Sequence, residues 1–341
     1  MATYTGIKGF KVQSLASDPT TDIEGQIWYN TASNALKYTG PGTGAWTTGG
    51  NMATTRITTA AGGTQSASFA GGGGNHTGGT ATEEYDGSTW GSGGAMPTAL
   101  SAAGGAGTIA AGLSFGGYAP TPVPSPNTNL CFEYDGSTWT AGGSLNTERA
   151  AGAGFGTQTA AMYSGGQGDA VPTPAPTSNE EYNGVGWTIT GIMNQAAQLG
   201  AACGTTTAGL YAGYSPATPT QTCTWNGTSW TQVSPGAFSV DMYNVNMFGT
   251  TSSALRCSGL PPGTDTAPNL KSVDEWDGST WTATTSKTYG GAAGNGTGTT
   301  TLGLSFGGYN PLNNPPSYYT DANKTEEWAK PVFATKTVTV S

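Results

Sequence analysis

The chain has 341 residues, a net charge of -9 and only 9% charged residues, with 56 Gly and 20 Pro. Its three arginines, Arg56, Arg149 and Arg256, are far apart, and without a basic cluster it lacks the phosphate-neutralising charge a nucleic-acid partner requires. The opening "MATYTGIKGFKVQ" has no apolar core of signal-peptide length and no stretch approaches a membrane span, so the expected protein is made in a cytoplasm without membrane insertion. So much Gly and Pro could mean disorder. Here the glycines fall between short apolar stretches at regular spacing, and ten Trp and fifteen Tyr supply large surfaces to bury. The expected class is all-β and turn-rich.

Residues 1–34 belong to no repeat. "GIKGFKVQSLASDPT" leads into "EGQIWYNTASNALKYTG", which reads as a short β-meander. One strand carries Ile27, Trp28 and Tyr29, and the next carries Leu36, Lys37 and Tyr38. "ALKYTGPGTGAWTTGG" at 35–50 then resembles a lone hairpin of the repeat that follows, with Trp46, and the alternatives are that it contributes to a seventh blade or closes the ring.

That repeat carries an eight-residue box: "EEYDGSTW" at 83–90, "FEYDGSTW" at 132–139 and "DEWDGSTW" at 274–281. Blurred copies are "EEYNGVGW" at 180–187 and "CTWNGTSW" at 223–230. From Trp46 the closing Trp residues step by 44, 49, 48, 43 and 51, through Trp90, Trp139, Trp187, Trp230 and Trp281. A final box, "TEEWAKPVF", puts Trp328 at the Tyr position and Phe333 at the Trp position.

Each unit reads as four strands. A small-residue strand is followed by one ending in glycines, such as "GLSFGGY", then a variable loop, then the acidic-aromatic strand, then the Trp strand. Asp86-Gly87, Asp135-Gly136, Asn183-Gly184, Asn226-Gly227 and Asp277-Gly278 are each expected to form a tight hairpin with positive φ. Small side chains suit crowded strands near a central axis. Four strands per unit at this period predict a β-propeller. Six blades are expected, with seven as the alternative.

The double glycine after the second strand, then a spaced Tyr and Trp, resembles Kelch repeats. "SFGGY" at 114–118 with Tyr134 and Trp139 carries the likeness, as does "SFGGY" at 305–309 with Trp328 and Phe333. Arg56 and Arg149 fall where Kelch units carry an Arg. "AGY" at 212–214 and "CSG" at 257–259 depart from the pattern. The first fifty residues resemble the openings of bacteriophage virion and tail-fibre proteins.

Together these resemblances imply a non-enzymatic virion protein, with residues 1–50 as attachment segment and 51–341 as a Kelch-like propeller displayed outward. They imply other virion proteins as partners, several copies per particle, and a host-surface glycan or protein as a further partner. The attachment candidates are Phe10, Ile27, Trp28 and Tyr29. The alternative reading is a glycan-active hydrolase or a carbohydrate-binding propeller.

No catalytic set or cofactor is expected. "YDGSTW" lacks the spacing of the sialidase Asp box, and the arginines are not placed to converge on one carboxylate. His76 alone does not make a copper site. Glu83 and Glu84 must face opposite sides of a strand, so the acids are expected to bind neighbouring strands or turns instead of calcium. Cys131, Cys203, Cys223 and Cys257 lack metal-site spacing and read as buried thiols. Function is expected in the variable loops, which hold 15 of the 20 prolines. Proline preorganises such loops, and Tyr118, Tyr214, Tyr309, Tyr318 and Tyr319 could stack on sugars or protein.

Overall fold

Alternation of small and large residues within each unit produces four short antiparallel strands, and the computed structural model contains seven four-stranded sheets. It describes residues 12–21, 23, 25–74, 78–120, 127–168, 177–213, 221–233, 238, 240–261, 271–310 and 321–338. No helix occurs among them. Two units separate: Met1–Ala45 with Lys330–Ser341, and Trp46–Ala329.

In the first unit, β1 (Gln13–Leu15) lies parallel to β2 (Ile27–Asn30). β3 (Ala35–Pro41) pairs antiparallel with β2 on one side and with the chain's last strand, β28 (Phe333–Thr337), on the other. Asp18 holds this unit together. Its carboxylate accepts the Trp28 indole N–H at 3.0 Å, the Asn30 amide at 2.6 Å and the Lys37 ammonium at 2.7 Å. These donors, the Lys37 bond foremost, hold its carboxyl below the usual carboxylate range.

The second unit is a β-propeller of six such sheets, entered through β4 (Ala45–Thr48). Sheet one is β5 (Ala60–Thr64), β6 (Ala67–Gly71), β7 (Thr82–Tyr85) and β8 (Trp90–Ser92). Sheet two is β9 to β12 (Gly104–Thr108, Ala111–Phe115, Cys131–Tyr134, Trp139–Ala141). Sheet three is β13 to β16 (Ala153–Thr157, Ala160–Ser164, Asn179–Tyr182, Trp187–Ile189). Sheet four is β17 to β20 (Ala201–Thr205, Ala208–Ala212, Thr222–Trp225, Trp230–Val233). Sheet five is β21 to β24 (Asn246–Thr250, Ser253–Cys257, Val273–Trp276, Trp281–Ala283). Sheet six is β25, β26 and β27 (Asn295–Gly298, Leu302–Phe306, Thr325–Ala329), completed by β4.

The first strands neighbour one another cyclically: β5, β9, β13, β17, β21, β25 and back to β5. Their backbones nearly touch. A Cβ on Gly105 would lie 2.2 Å from the Ala61 nitrogen, and one on Gly154 would lie 2.7 Å from the Gly105 nitrogen. The small residues in these strands are therefore a steric requirement, as their sequence suggests.

Sheet six corrects one expectation. Phe333 does not take the closing-Trp position; it lies in β28 of the other unit. Trp46 of β4 takes it, 5.2 Å from the ring of Trp328. Tyr85 and Trp90 of sheet one have the same centroid separation. Either aromatic has the right spacing, but the position next to β27 goes to a strand from the other end of the repeat.

The eight-residue box is packing machinery. Tyr and Trp of one box pack on a strand of the preceding sheet, as Tyr134 does on Phe69 with a tilted ring and Trp139 edge-on. Three closing Trp residues donate their indole N–H to a threonine hydroxyl in the preceding sheet, each at 2.9 Å: Trp90 to Thr325, Trp139 to Thr82 and Trp281 to Thr222. Contrary to expectation, the Asp-Gly pair does not make the whole turn but opens a four-residue connection, 86–89 in sheet one. Asp86 Oδ1 accepts the backbone N–H of Ser88 and Thr89 and the Ser88 hydroxyl. These donors lower its carboxyl to about 2. The Ser-Thr of the box thus belongs to the turn, which also explains Asn183 and Asn226, whose side chains accept the same backbone groups.

The paired acids divide their work by strand parity. The second acid binds the next sheet: the phenols of Tyr134, Tyr182 and Tyr85 donate to Glu84, Glu133 and Glu327. Burial and the Glu84 carboxylate push the Tyr134 phenol up to about 12. Below pH 10, the ordinary phenol value, folded and unfolded states are both protonated and the bond contributes fully. Between about 10 and 12 only the unfolded phenol ionises, so stability falls as pH rises. Tyr134→Phe should flatten this alkaline loss, read as the urea midpoint at each pH. An unchanged slope would show that the phenol is not responsible.

The degenerate fifth unit keeps its geometry despite its sequence. Ser258 replaces the first glycine of the pair and takes φ +59°, close to +68° at Gly72 and +63° at Gly116. Its buried hydroxyl lacks a hydrogen-bond partner among the described residues. A left-handed conformation costs a residue with a Cβ about 1–2 kcal/mol. Ser258→Gly should therefore stabilise the protein by about 1 kcal/mol, seen as a higher urea midpoint.

Candidate functional site

The segments leading into the six first strands meet around the propeller axis. Two residues before each strand stands one residue in the left-handed conformation: Thr58, Ala102, Ala151, Leu199, Asn244 and Ala293, with φ between 51° and 57°. Each donates its backbone N–H to the carbonyl of its counterpart in the preceding sheet. Ala102 donates to Thr58, Ala151 to Ala102, Leu199 to Ala151, Asn244 to Leu199, Ala293 to Asn244, and Thr58 to Ala293. The six bonds, 2.6–3.0 Å long, close a ring. Hydrogen bonds linked head to tail polarise one another, and every group in this ring has a partner.

These residues rim an axial cavity of about 150 Å³. Its lining is Gly, Ala, Thr, Asn, Val, Leu and Met, with no ionisable side chain among the described residues. Such a surface supplies shape and neutral hydrogen bonds and has no general acid or base.

The variable loops leave the sheets at this same end, and buried ion pairs fix their stems. Arg149 donates to the carbonyls of Gly165 and Ser178, on either side of one loop, and to Glu180 at 3.2 Å. Glu180 also accepts the Asn146 backbone N–H at 2.7 Å. Arg56 likewise holds Gly72 and Ala81 and pairs with Glu83 at 2.8 Å. Sheets five and six use Arg256 with Asp274 and Lys287 with Glu326. Burial lowers the Arg149 and Arg256 pKa values, opposed only in part by Tyr163 and Glu180 at the first and by Asp274 at the second.

Two of the expected loop tyrosines fall in the described residues. Tyr118 and Tyr309 are half-buried at the bases of equivalent loops, bridged to Ser101 and Ala292, the neighbours of ring residues Ala102 and Ala293. Tyr309 packs against Ile57, Ala293 and Ala322. Tyr214, Tyr318, Tyr319, Phe10 and His76 lie outside the described residues. In the smaller unit Ile27 is 52% and Tyr29 37% exposed, whereas Trp28 is fully buried over Asp18. The four cysteines are buried and none is in a disulfide. No group of three or more His, Cys, Asp or Glu is placed to hold a metal among the described residues.

Sequence reasoning missed the axial ring. Its six members share no chemistry, and the only cue was their constant place two residues before each first strand. A comparison with models of known protein families finds no match, and one with curated proteins finds none either.

Proposed function

We propose that this chain is a non-enzymatic structural or appendage protein of a bacteriophage particle. Its smaller unit docks to the particle, and its Kelch-like propeller is displayed outward toward a host surface. The observation that carries the reading is the alternation in β2. Trp28 and Asn30 point into their own unit while Ile27 and Tyr29 present apolar surface to a partner. Single exposed apolar residues are ordinary. Here they accompany a sequence resembling the openings of virion and tail-fibre proteins, in a unit distinct from the repeat body. The neutral axial lining favours binding over hydrolysis.

Mass spectrometry and cryo-EM of purified particles test the proposal, with the chain expected at several copies per particle. Ile27→Asp with Tyr29→Ser should abolish incorporation and leave the melting temperature within a few degrees of wild type, because Trp28 and its Asp18 contact are untouched. Absence of the wild-type chain from purified particles would sink the reading.

A further inference from the structure

The axial cavity is chemically lopsided. Sheets five, six and one contribute Asn244, Asn246, Asn295, Thr58 and Thr59 to its wall. The facing sheets two, three and four contribute backbone and the side chains of Ala102, Ala103, Ala151, Leu199, Ala201 and Ala202. Ala61, Val245, Met247 and Ala293 also line the first arc, but every polar side chain of the wall among the described residues lies there and none on the facing arc.

The polar arc has unspent hydrogen-bonding capacity. Asn246 is 2% exposed; its amide nitrogen donates to the Ser305 hydroxyl at 3.0 Å, and its amide oxygen has no partner among the described residues. Ser305 also accepts the Lys287 ammonium at 2.6 Å. Ser305 is thus already engaged, and exchanging the two ends of the Asn246 amide would still leave one end unpaired. Asn295 commits its amide nitrogen to the Thr59 hydroxyl at 2.6 Å and carbonyl at 3.1 Å, which orients its oxygen. Thr58 and Asn244 are half-exposed at the rim, and their backbone groups are already fixed in the ring.

We infer that the axial opening binds one uncharged, hydroxyl-bearing ring, the class to which a neutral sugar residue belongs. Hydroxyl groups both donate and accept, so they match a mixed arc of amides and threonines. The C–H face of such a ring covers the alanine and leucine arc. A charged ligand would be stripped of water with no opposite charge to receive it, so anionic sugars are excluded. The cavity volume of about 150 Å³ admits one such ring or several waters. The rim residues are preorganised, because the hydrogen-bonded ring fixes their backbones before any ligand arrives. The site is independent of particle attachment and would exist in the isolated protein.

Ligand-observed NMR with the full-length protein tests it, using glucose, galactose, mannose, rhamnose and N-acetylglucosamine, with glucuronate as the anionic contrast. At least one neutral sugar is expected to bind saturably in the millimolar range, and glucuronate at least tenfold more weakly. Asn244→Gly and Thr58→Gly keep the left-handed backbone and the ring, so both should fold; each should weaken binding about fivefold to tenfold. Asn246→Leu, checked for an unchanged melting temperature, should do the same. Saturable binding of none of the five sugars, binding indifferent to both glycine variants, or equal binding of glucuronate would each overturn the inference. So would a crystal soaked in the best sugar that shows only water in the opening. Because the assay needs no particle, its failure is distinct from failure of the virion reading.

Discussion

Arg149→Leu is expected to cost about 3–5 kcal/mol, and adding Glu180→Phe to recover at least half of that. The first change leaves a carboxylate with a fully buried side chain without its cation. The protein itself contains the design for the second. Sheet two has Leu100 where sheet three has Arg149, and Phe132 where sheet three has Glu180, and both lie in one apolar cluster. Sheet four has Ala197 and Cys223 at those places, again packed together. Three solutions to one position thus coexist in one chain: an ion pair, a large apolar pair and a small one. A buried ion pair is expensive to break and often nearly neutral to replace whole. Recovery should be incomplete, because Arg149 also holds the carbonyls of Tyr163, Gly165 and Ser178. Urea unfolding of wild type, the two single variants and the double variant gives the coupling. A double variant no better than the worse single would show that the loop stems, not the charge pair, set the cost.

The same comparison shows what was legible in the sequence. The Trp steps and the boxes expose the repeat, because stacking one sheet on the next needs a large aromatic at a fixed place in each unit. Parity along the strand already separates Glu83 from Glu84, and the structure sends one to Arg56 and the other to Tyr134. Ring closure is less legible, and closure by residues 35–50 is only one of the alternatives the sequence offers. Phe333 stands five residues after Trp328, the spacing of the box, whereas Trp46 is spaced one repeat before Trp90, and its pairing with Trp328 is a contact spanning nearly the whole chain. Arg256 and Lys287 also escape simple alignment. Arg256 delivers its cation from a second strand, and Lys287 stands eight residues before its first strand, whereas Arg56 and Arg149 stand four before theirs. The axial site was hidden for a different reason. Its ring is made by backbone groups, which every residue carries, so Thr58, Ala102 and Leu199 serve the same bond with unrelated side chains.

That ring leads to the other large expected effect. Ala151→Pro should destabilise the propeller by more than about 3 kcal/mol, whereas Ala151→Gly should stabilise it by about 1 kcal/mol. Ala151 sits at φ +56°, a conformation glycine enters freely and proline, fixed near -65°, cannot adopt. Proline also removes the N–H that donates to Ala102 at 2.9 Å, and so opens the ring at one of its six links. The Ala102 carbonyl is then left without its donor, and the loss exceeds that of a single solvent-exposed hydrogen bond because the remaining five links no longer close on themselves. Ala151→Gly keeps every link and removes only the steric cost of the Cβ. Thermal melts of both variants beside wild type decide the matter. If Ala151→Pro melts like wild type, the ring is a consequence of the packed sheets; if it melts many degrees lower while Ala151→Gly melts higher, the ring helps hold those sheets in their cyclic order. The second outcome is expected, because the close approach of Gly105 to Ala61 and of Gly154 to Gly105 leaves the inner strands few side chains with which to grip one another.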